Sequence, residues 1–231
     1  MRISVGLPLY DGKMDYRVAA CLMTEILIAE KNGDSLSLCM LGGCSDLARG
    51  RNQIVYEFLE SEADRLVFLD SDVTFTPGSL VKIAHYPEDV VGGAYRLKED
   101  GPEQYPIAFL QDRKELRANE HGLLEVAMVP TGFLSMSRNA FKKFREAYPG
   151  REYQSRGVTQ YCYFQIPYGD GALYTEDSYF CKEWKAIDGQ VFMDPELTLT
   201  HWKGNIPFEG HIGNWLKRNA GIPINQPKGV A

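Results

Sequence analysis

The strongest constraint in this chain is Leu66-Val67-Phe68-Leu69-Asp70-Ser71-Asp72, an apolar run that stops at two carboxylates separated by one small residue. Four consecutive apolar residues followed by a polar turn fit a strand buried on both faces, the kind found in the sheets of α/β folds. Both acids then emerge where the strand leaves the core, which is where open α/β sheets bind ligands. Two carboxylates this close repel each other and resist desolvation, so a shared cation stabilises them, and oxygen ligands favour Mg²⁺ or Mn²⁺. An isolated Asp-x-Asp also opens ordinary solvated turns, so the rest of the chain must decide its meaning.

The flanking pattern is that of an α/β half. Residues 3–8 read as a strand, and residues 16–31 carry Val18, Cys21, Leu22, Ile26 and Ala29 at helical spacing, ending before Asn32-Gly33. Residues 35–41 read as a second strand. Ser45 or Asp46 then caps a helix to about residue 62, with Leu47, Ile54, Val55, Phe58 and Leu59 on its inner face. This β-α-β-α-β order reads as a nucleotide-binding α/β half. Thr76-Pro77 starts a short helix and residues 89–93 a short strand. No Gly-x-Gly-x-x-Gly follows the first strand and no Gly-Lys-Ser/Thr phosphate loop occurs, so phosphate is held differently.

The second half is less regular. Short strands are expected near 107–111 and 123–129, a helix over 137–148, a loop rich in Gly, Arg and Tyr over 149–168, a helix over 176–186 and a strand over 191–193. Beyond His201 the density of Gly, Asn and Pro suits a flexible flap. The expected organisation is one domain, 1–231: a nucleotide-binding half (1–97), a half that handles a second substrate (98–202) and a C-terminal flap (203–231).

Composition narrows the function classes. A chain of 231 residues, 44% hydrophobic and 24% charged, buries a sizeable core without disulfides or metal staples. No stretch approaches the ~20 apolar residues of a membrane span, and residues 1–8 are too short and too broken by Gly and Pro for a signal peptide, so the expected location is cytoplasmic. The five cysteines lack paired metal-finger spacing and read as free thiols. A formal charge of −6 argues against a broad nucleic-acid-coating surface.

Further chemistry-bearing positions follow in order: Thr131-Gly132-Phe133 before a helix, Thr175-Glu176-Asp177 at a helix start, then Asp194-Pro195 and His201. Each has a structural alternative, such as acids stabilising a first helical turn. Together with Asp70-Ser71-Asp72, in this order, they make the chain resemble the nucleotide-sugar-dependent glycosyltransferases of the GT-A fold, most closely family 2, from Ile3 to about His201.

The resemblance implies an α/β, Rossmann-like three-layer sandwich around a mixed, mainly parallel sheet, a catalytic domain with 98–202 as its acceptor half, and a metal-dependent transfer of sugar from a nucleoside-diphosphate sugar to an acceptor hydroxyl, with inversion. It implies Asp70, Asp72 and His201 as ligands of Mn²⁺ or Mg²⁺, with Asp70 and Ser71 also toward the nucleotide. Asp177 matches the catalytic base, with Glu176 beside it. Pro8, Tyr10 and Asp11 fall where the first strand ends against the base, Arg49, Arg51 and Asn52 where the nucleoside is framed, and Thr131, Gly132 and Phe133 on the acceptor side. The acceptor is a glycan, a small molecule or a hydroxylated base in DNA. Two other classes fit the same motifs: a nucleotide-sugar binding protein without turnover, and a nucleotidyltransferase, for which residues 9–13 are a poor match.

Overall fold

The computed structural model describes residues 1–43, 45–110, 116–169, 171–219 and 224–225. The first half alternates as the spacing requires: β1 (Arg2–Leu9), α1 (Tyr16–Lys31), β2 (Ser35–Gly42), α2 (Leu47–Glu60) and β3 (Arg65–Leu69). Asp15 and Asp46 cap α1 and α2 by accepting the backbone N–H of Arg17 and of Arg49. Then come β4 (Val73–Phe75), α3 (Ser79–His85), β5 (Val90–Gly92), β6 (Leu116–Arg117) and β7 (Leu124–Val126). The remainder comprises β8 (Phe133–Ser137), α4 (Arg138–Ala147), β9 (Glu152–Ser155), β10 (Val158–Tyr161), β11 (Tyr168–Gly169), β12 (Ala172–Leu173) and α5 (Glu176–Ala186). Last are β13 (Val191–Met193), β14 (Leu199–Lys203), β15 (Ile206–Gly210), α6 (Ile212–Asn219) and β16 (Ile224–Asn225).

Seven strands form the central sheet in the order β2-β1-β3-β8-β5-β13-β7. β2, β1 and β3 are parallel, β8 runs antiparallel to both β3 and β5, β13 is parallel to β5 and β7 is antiparallel to β13. The apolar run of β3 fits this central position because alternate residues serve opposite layers. Leu66 and Phe68 pack with Ile54, Val55 and Phe58 of α2, whereas Val67 and Leu69 pack with Val18 and Leu22 of α1. Each such side chain taken from water contributes about 1.5–3 kcal/mol. With α1 and α2 on opposite faces, a crevice opens at the carboxyl ends of β1 and β3, where the connections diverge.

Two expectations change. Residues 133–137 form the central strand β8, where the sequence suggested only the approach to a helix. Its inward Ser135 is satisfied by the Nε of buried Arg65 at 2.8 Å, a pairing that hides the strand in the sequence pattern. Residues 203–219, expected as flap, are built into the body. β14 pairs with both β4 and β15, the β14–β15 hairpin turns at Gly204-Asn205 with Gly204 at φ 59°, and α6 buries Ile212 and Leu216. The rest of the expected flap, 220–223 and 226–231, lies outside the described residues, as do Cys44 and Gln111. Within the Tyr-rich segment 149–168, Tyr161, Tyr163 and Phe164 are core residues, with Phe164 stacked on Phe180 at 5.0 Å.

Candidate active site

The turn after β3 is pinned from three directions. Asp70 donates its backbone N–H to Gly132 O at the start of β8 (2.9 Å), Ser71 O accepts from Asp15 N at the start of α1 (2.9 Å), and Asp72 O accepts from Trp202 N of β14 (2.9 Å). Because β4 follows the turn and pairs with β14, with His201 opposite Val73, the histidine arrives beside Asp72. A cavity of about 260 Å³ opens here, lined by Pro8, Tyr10, Ser45, Leu47, Asp70, Ser71, Asp72, Lys98 and His201.

The two acids of the turn have different partners. Asp70 faces the body of the protein: its Oδ1 lies 3.1 Å from Arg51 Nη2 and its Oδ2 3.4 Å from the Tyr95 hydroxyl. Gly132 makes this packing feasible, since a Cβ there would lie 2.4 Å from both Asp70 Oδ2 and Tyr95 Oη. Arg51, only 1% exposed, also donates through Nε to Glu176 Oε1 at 3.2 Å. Burial opposes the Arg51 charge, but Asp70 and Glu176 outweigh it and hold the guanidinium above its ordinary pKa. Burial raises the Glu176 pKa, Arg51 opposes the rise, and neighbouring Asp177 adds to it.

Asp72 faces the cavity. Its Oδ2 is paired with the Lys98 ammonium and its Oδ1 lies 3.4 Å from His201 Nε2. Burial raises its pKa, but hydrogen bonds from His201 and Lys98 outweigh that and hold the carboxyl below the usual range. His201 Nδ1 lies 3.1 Å from Arg96 O. A carbonyl only accepts, so Nδ1 carries the hydrogen and a neutral ring turns the Nε2 lone pair toward Asp72. A lone pair facing a carboxylate oxygen requires a cation, either a proton on Nε2 or a metal ion between them. A carbonyl holding the far nitrogen is also the usual support of a metal-ligating histidine. Asp72 and His201 thus suit a divalent cation whose other ligands are water or phosphate oxygens. Among the described residues, no group of three or more His, Cys, Asp and Glu side chains converges on one point.

Tyr95 joins the two sides. Its hydroxyl approaches Asp70 and its ring meets that of His201 edge-on, with centroids 4.7 Å apart. Burial drives its pKa well above the ordinary value and Asp70 adds to this, with further contributions from Asp177 and Asp72. The Tyr95 phenol thus touches Asp70 of the β3 turn and the His201 ring of β14 together. Asp177, at the start of α5, accepts through Oδ1 from Ser178 N (2.7 Å) and from the Thr175 hydroxyl, and among the described residues its Oδ2 has no hydrogen-bond partner.

The remaining expected positions divide. Pro8 and Tyr10 line the cavity and Tyr10 is 74% exposed, whereas Asp11 pairs with Lys13 at 2.9 Å. Arg49 and Arg51 separate: Arg51 is buried in the acid network, while Arg49 lies on the surface of α2 with Nη2 3.3 Å from Ser155 Oγ. Asn52 is buried, its side chain accepting from Tyr163 N and Phe164 N and donating to Phe164 O, so it shapes a neighbouring loop. Thr131 and Phe133 are buried and, like Gly132, do not line the cavity, with Phe133 against the Phe75 ring at 5.2 Å. Asp194 is remote from this network, held by the Tyr86 hydroxyl, Lys82 Nζ and Glu196 N. Lys98 and Tyr95 had no motif to announce them, while Ser45, which leaves the cap of α2 to Asp46, and Leu47, expected on the inner face of that helix but exposed, line the cavity.

Solved structures share this architecture. The chain is similar to A197 from STIV, at 20% identity and a TM-score of 0.57, over 88% of this chain and 87% of that one. It is also similar to residues 1–349 of S. aureus TarS, solved in complex with UDP-GlcNAc, at 15% identity and a TM-score of 0.50. The fold is of the GT-A type. The match to TarS covers 92% of this chain and 61% of the TarS segment. No protein-family model and no curated protein sequence matches the chain. No described helix of this GT-A chain is long and apolar enough to cross a membrane.

Proposed function

We propose that the chain is a glycosyltransferase that moves a sugar from a nucleoside-diphosphate sugar to an acceptor hydroxyl, with inversion at the anomeric carbon. The carrying observation is Asp72 beside His201 at an open cavity, with Asp70 on the Tyr95 hydroxyl and tied through Arg51 to Glu176, the neighbour of Asp177, in a GT-A fold. Exposed Tyr10 at the rim offers a flat face for a nucleobase, and Pro8 and Leu47 give the cavity apolar wall. Asp72 and His201 would hold Mn²⁺ or Mg²⁺. Such an ion, when bound, offsets the negative charge that develops on the diphosphate.

Chemistry at the sugar needs a base on the side opposite the diphosphate. The acceptor oxygen forms its bond to the anomeric carbon as the carbon–oxygen bond to the diphosphate breaks. The electron pair of that bond leaves with the nucleoside diphosphate, and the hydroxyl proton passes to Asp177. A single in-line displacement inverts the centre, by the logic of inverting hydrolases. Arg51 holds Glu176 and Asp70 in fixed relation and thereby ties the start of α5 to the β3 turn. TarS bound UDP-GlcNAc in its crystal, which makes UDP-sugars the first donors to try.

The test incubates the chain with a panel of nucleotide sugars and Mn²⁺, follows nucleoside diphosphate release, and determines the anomeric configuration of any product by NMR. Release that requires Asp72, His201 and Asp177, with inversion, is expected. Retention of configuration removes Asp177 from its role. Binding without release on any donor favours a sugar-nucleotide binding protein.

A further inference from the structure

Lys98 has no part in the proposed chemistry so far, yet its ammonium is the cation seated on the cavity-facing acid. It projects from a loop whose base is anchored to the same site. Leu97 N donates to Gln104 O (2.9 Å), Arg96 Nη2 donates to Gly101 O (3.0 Å), and Arg96 O receives His201 Nδ1. The loop is therefore fixed at its foot, while the lysine crosses to Asp72 on a flexible four-carbon stem. The Lys98 side chain is 28% exposed and that of Asp72 36%, so solvent screens the pair, and such pairs hold together weakly. An ammonium on Asp72 Oδ2 and a divalent cation on Asp72 compete for one carboxylate. A diphosphate entering this cavity brings the negative charge that a displaced ammonium needs.

We propose that Lys98 is the diphosphate-contacting residue of this site: it rests on Asp72 while the donor is absent and transfers to the diphosphate oxygens when cation and donor enter. This deepens the glycosyltransferase reading and rests on it. Two effects of opposite sign follow. Without the lysine, Asp72 is free and a cation alone binds more tightly, yet the nucleoside diphosphate loses a charge-assisted hydrogen bond and binds more weakly.

The experiment compares the wild-type chain with Lys98→Met, which keeps the apolar stem, and with Lys31→Met on α1 as a control for net charge. Free Mn²⁺ is followed by electron paramagnetic resonance in a titration with metal alone. UDP, GDP and ADP are then titrated calorimetrically at saturating Mn²⁺, and circular dichroism melting shows that each variant is folded. Lys98→Met is expected to bind Mn²⁺ several-fold more tightly and the preferred diphosphate on the order of tenfold more weakly, the scale of one lost charged hydrogen bond. Lys31→Met is expected to move neither. Unchanged affinities in Lys98→Met, or two shifts of the same sign, overturn the role of Lys98 while leaving the donor site standing. If the wild-type chain binds none of the diphosphates, the donor reading itself falls and this proposal with it.

Discussion

Asp70 and Asp72 are two residues apart and differ in nearly everything that matters. Asp70 is locked between Arg51 and Tyr95 against a glycine that leaves no spare volume, whereas Asp72 meets a partly exposed lysine and a histidine at an open cavity. One acid is part of the scaffold and the other has exchangeable partners. The Asp72 side is open to the cavity, while the Asp70 side ties the β3 turn to the α5 start through Arg51.

Arg51→Met should break the scaffold side most severely. It strands buried Glu176 and partly buried Asp70 without their shared cation, and chemical denaturation should show a loss of about 3–5 kcal/mol. Glu176→Gln in that background should recover part of the loss, because it removes one of the stranded charges. Next comes Gly132→Ala, whose Cβ would collide with Asp70 Oδ2 and Tyr95 Oη. A loss of roughly 1–3 kcal/mol is expected in the same assay, the usual cost of overpacking.

The cavity side should respond in the opposite way. Asp72→Asn should leave global stability nearly unchanged, yet lower transfer on the order of 10²-fold or more, the scale of losing one electrostatic stabiliser. If stability falls as far as in Arg51→Met, the division between the two acids is wrong.

The smallest effect is pH-dependent. The folded pKa of Asp72 is depressed, so its contribution to stability is complete above its unfolded value of about 4 and is lost as pH falls through the lower folded value. Asp72→Asn should therefore lose less stability than the wild-type chain on acidification below about pH 4, measured by thermal melting.

The strand carrying both acids was legible because β3 buries alternate residues in two different layers, which leaves an uninterrupted apolar run in the sequence. The helical spacing of α1 and α2 was legible for the same reason, each having one buried face. β8 was not, since its buried Ser135 depends on Arg65, seventy residues earlier, and no local pattern records that pairing. Gly204-Asn205 is a two-residue turn between residues that pair across a hairpin, so the signal was present but masked by the surrounding Gly and Pro. Motif order singled out Asp72 and His201, which the structure places side by side at the cavity. Lys98 and Tyr95 were invisible because their significance lies in which distant groups they meet.

The central claim is that Asp72 and His201 form the cation-dependent edge of a donor site. Anomalous diffraction from crystals grown with Mn²⁺ and a nucleoside diphosphate tests it most directly. A peak bonded to an Asp72 carboxylate oxygen and His201 Nε2, with diphosphate oxygens completing the shell and Lys98 moved off Asp72, is the expected result. Diphosphate bound elsewhere, or a manganese peak away from both side chains, would contradict it.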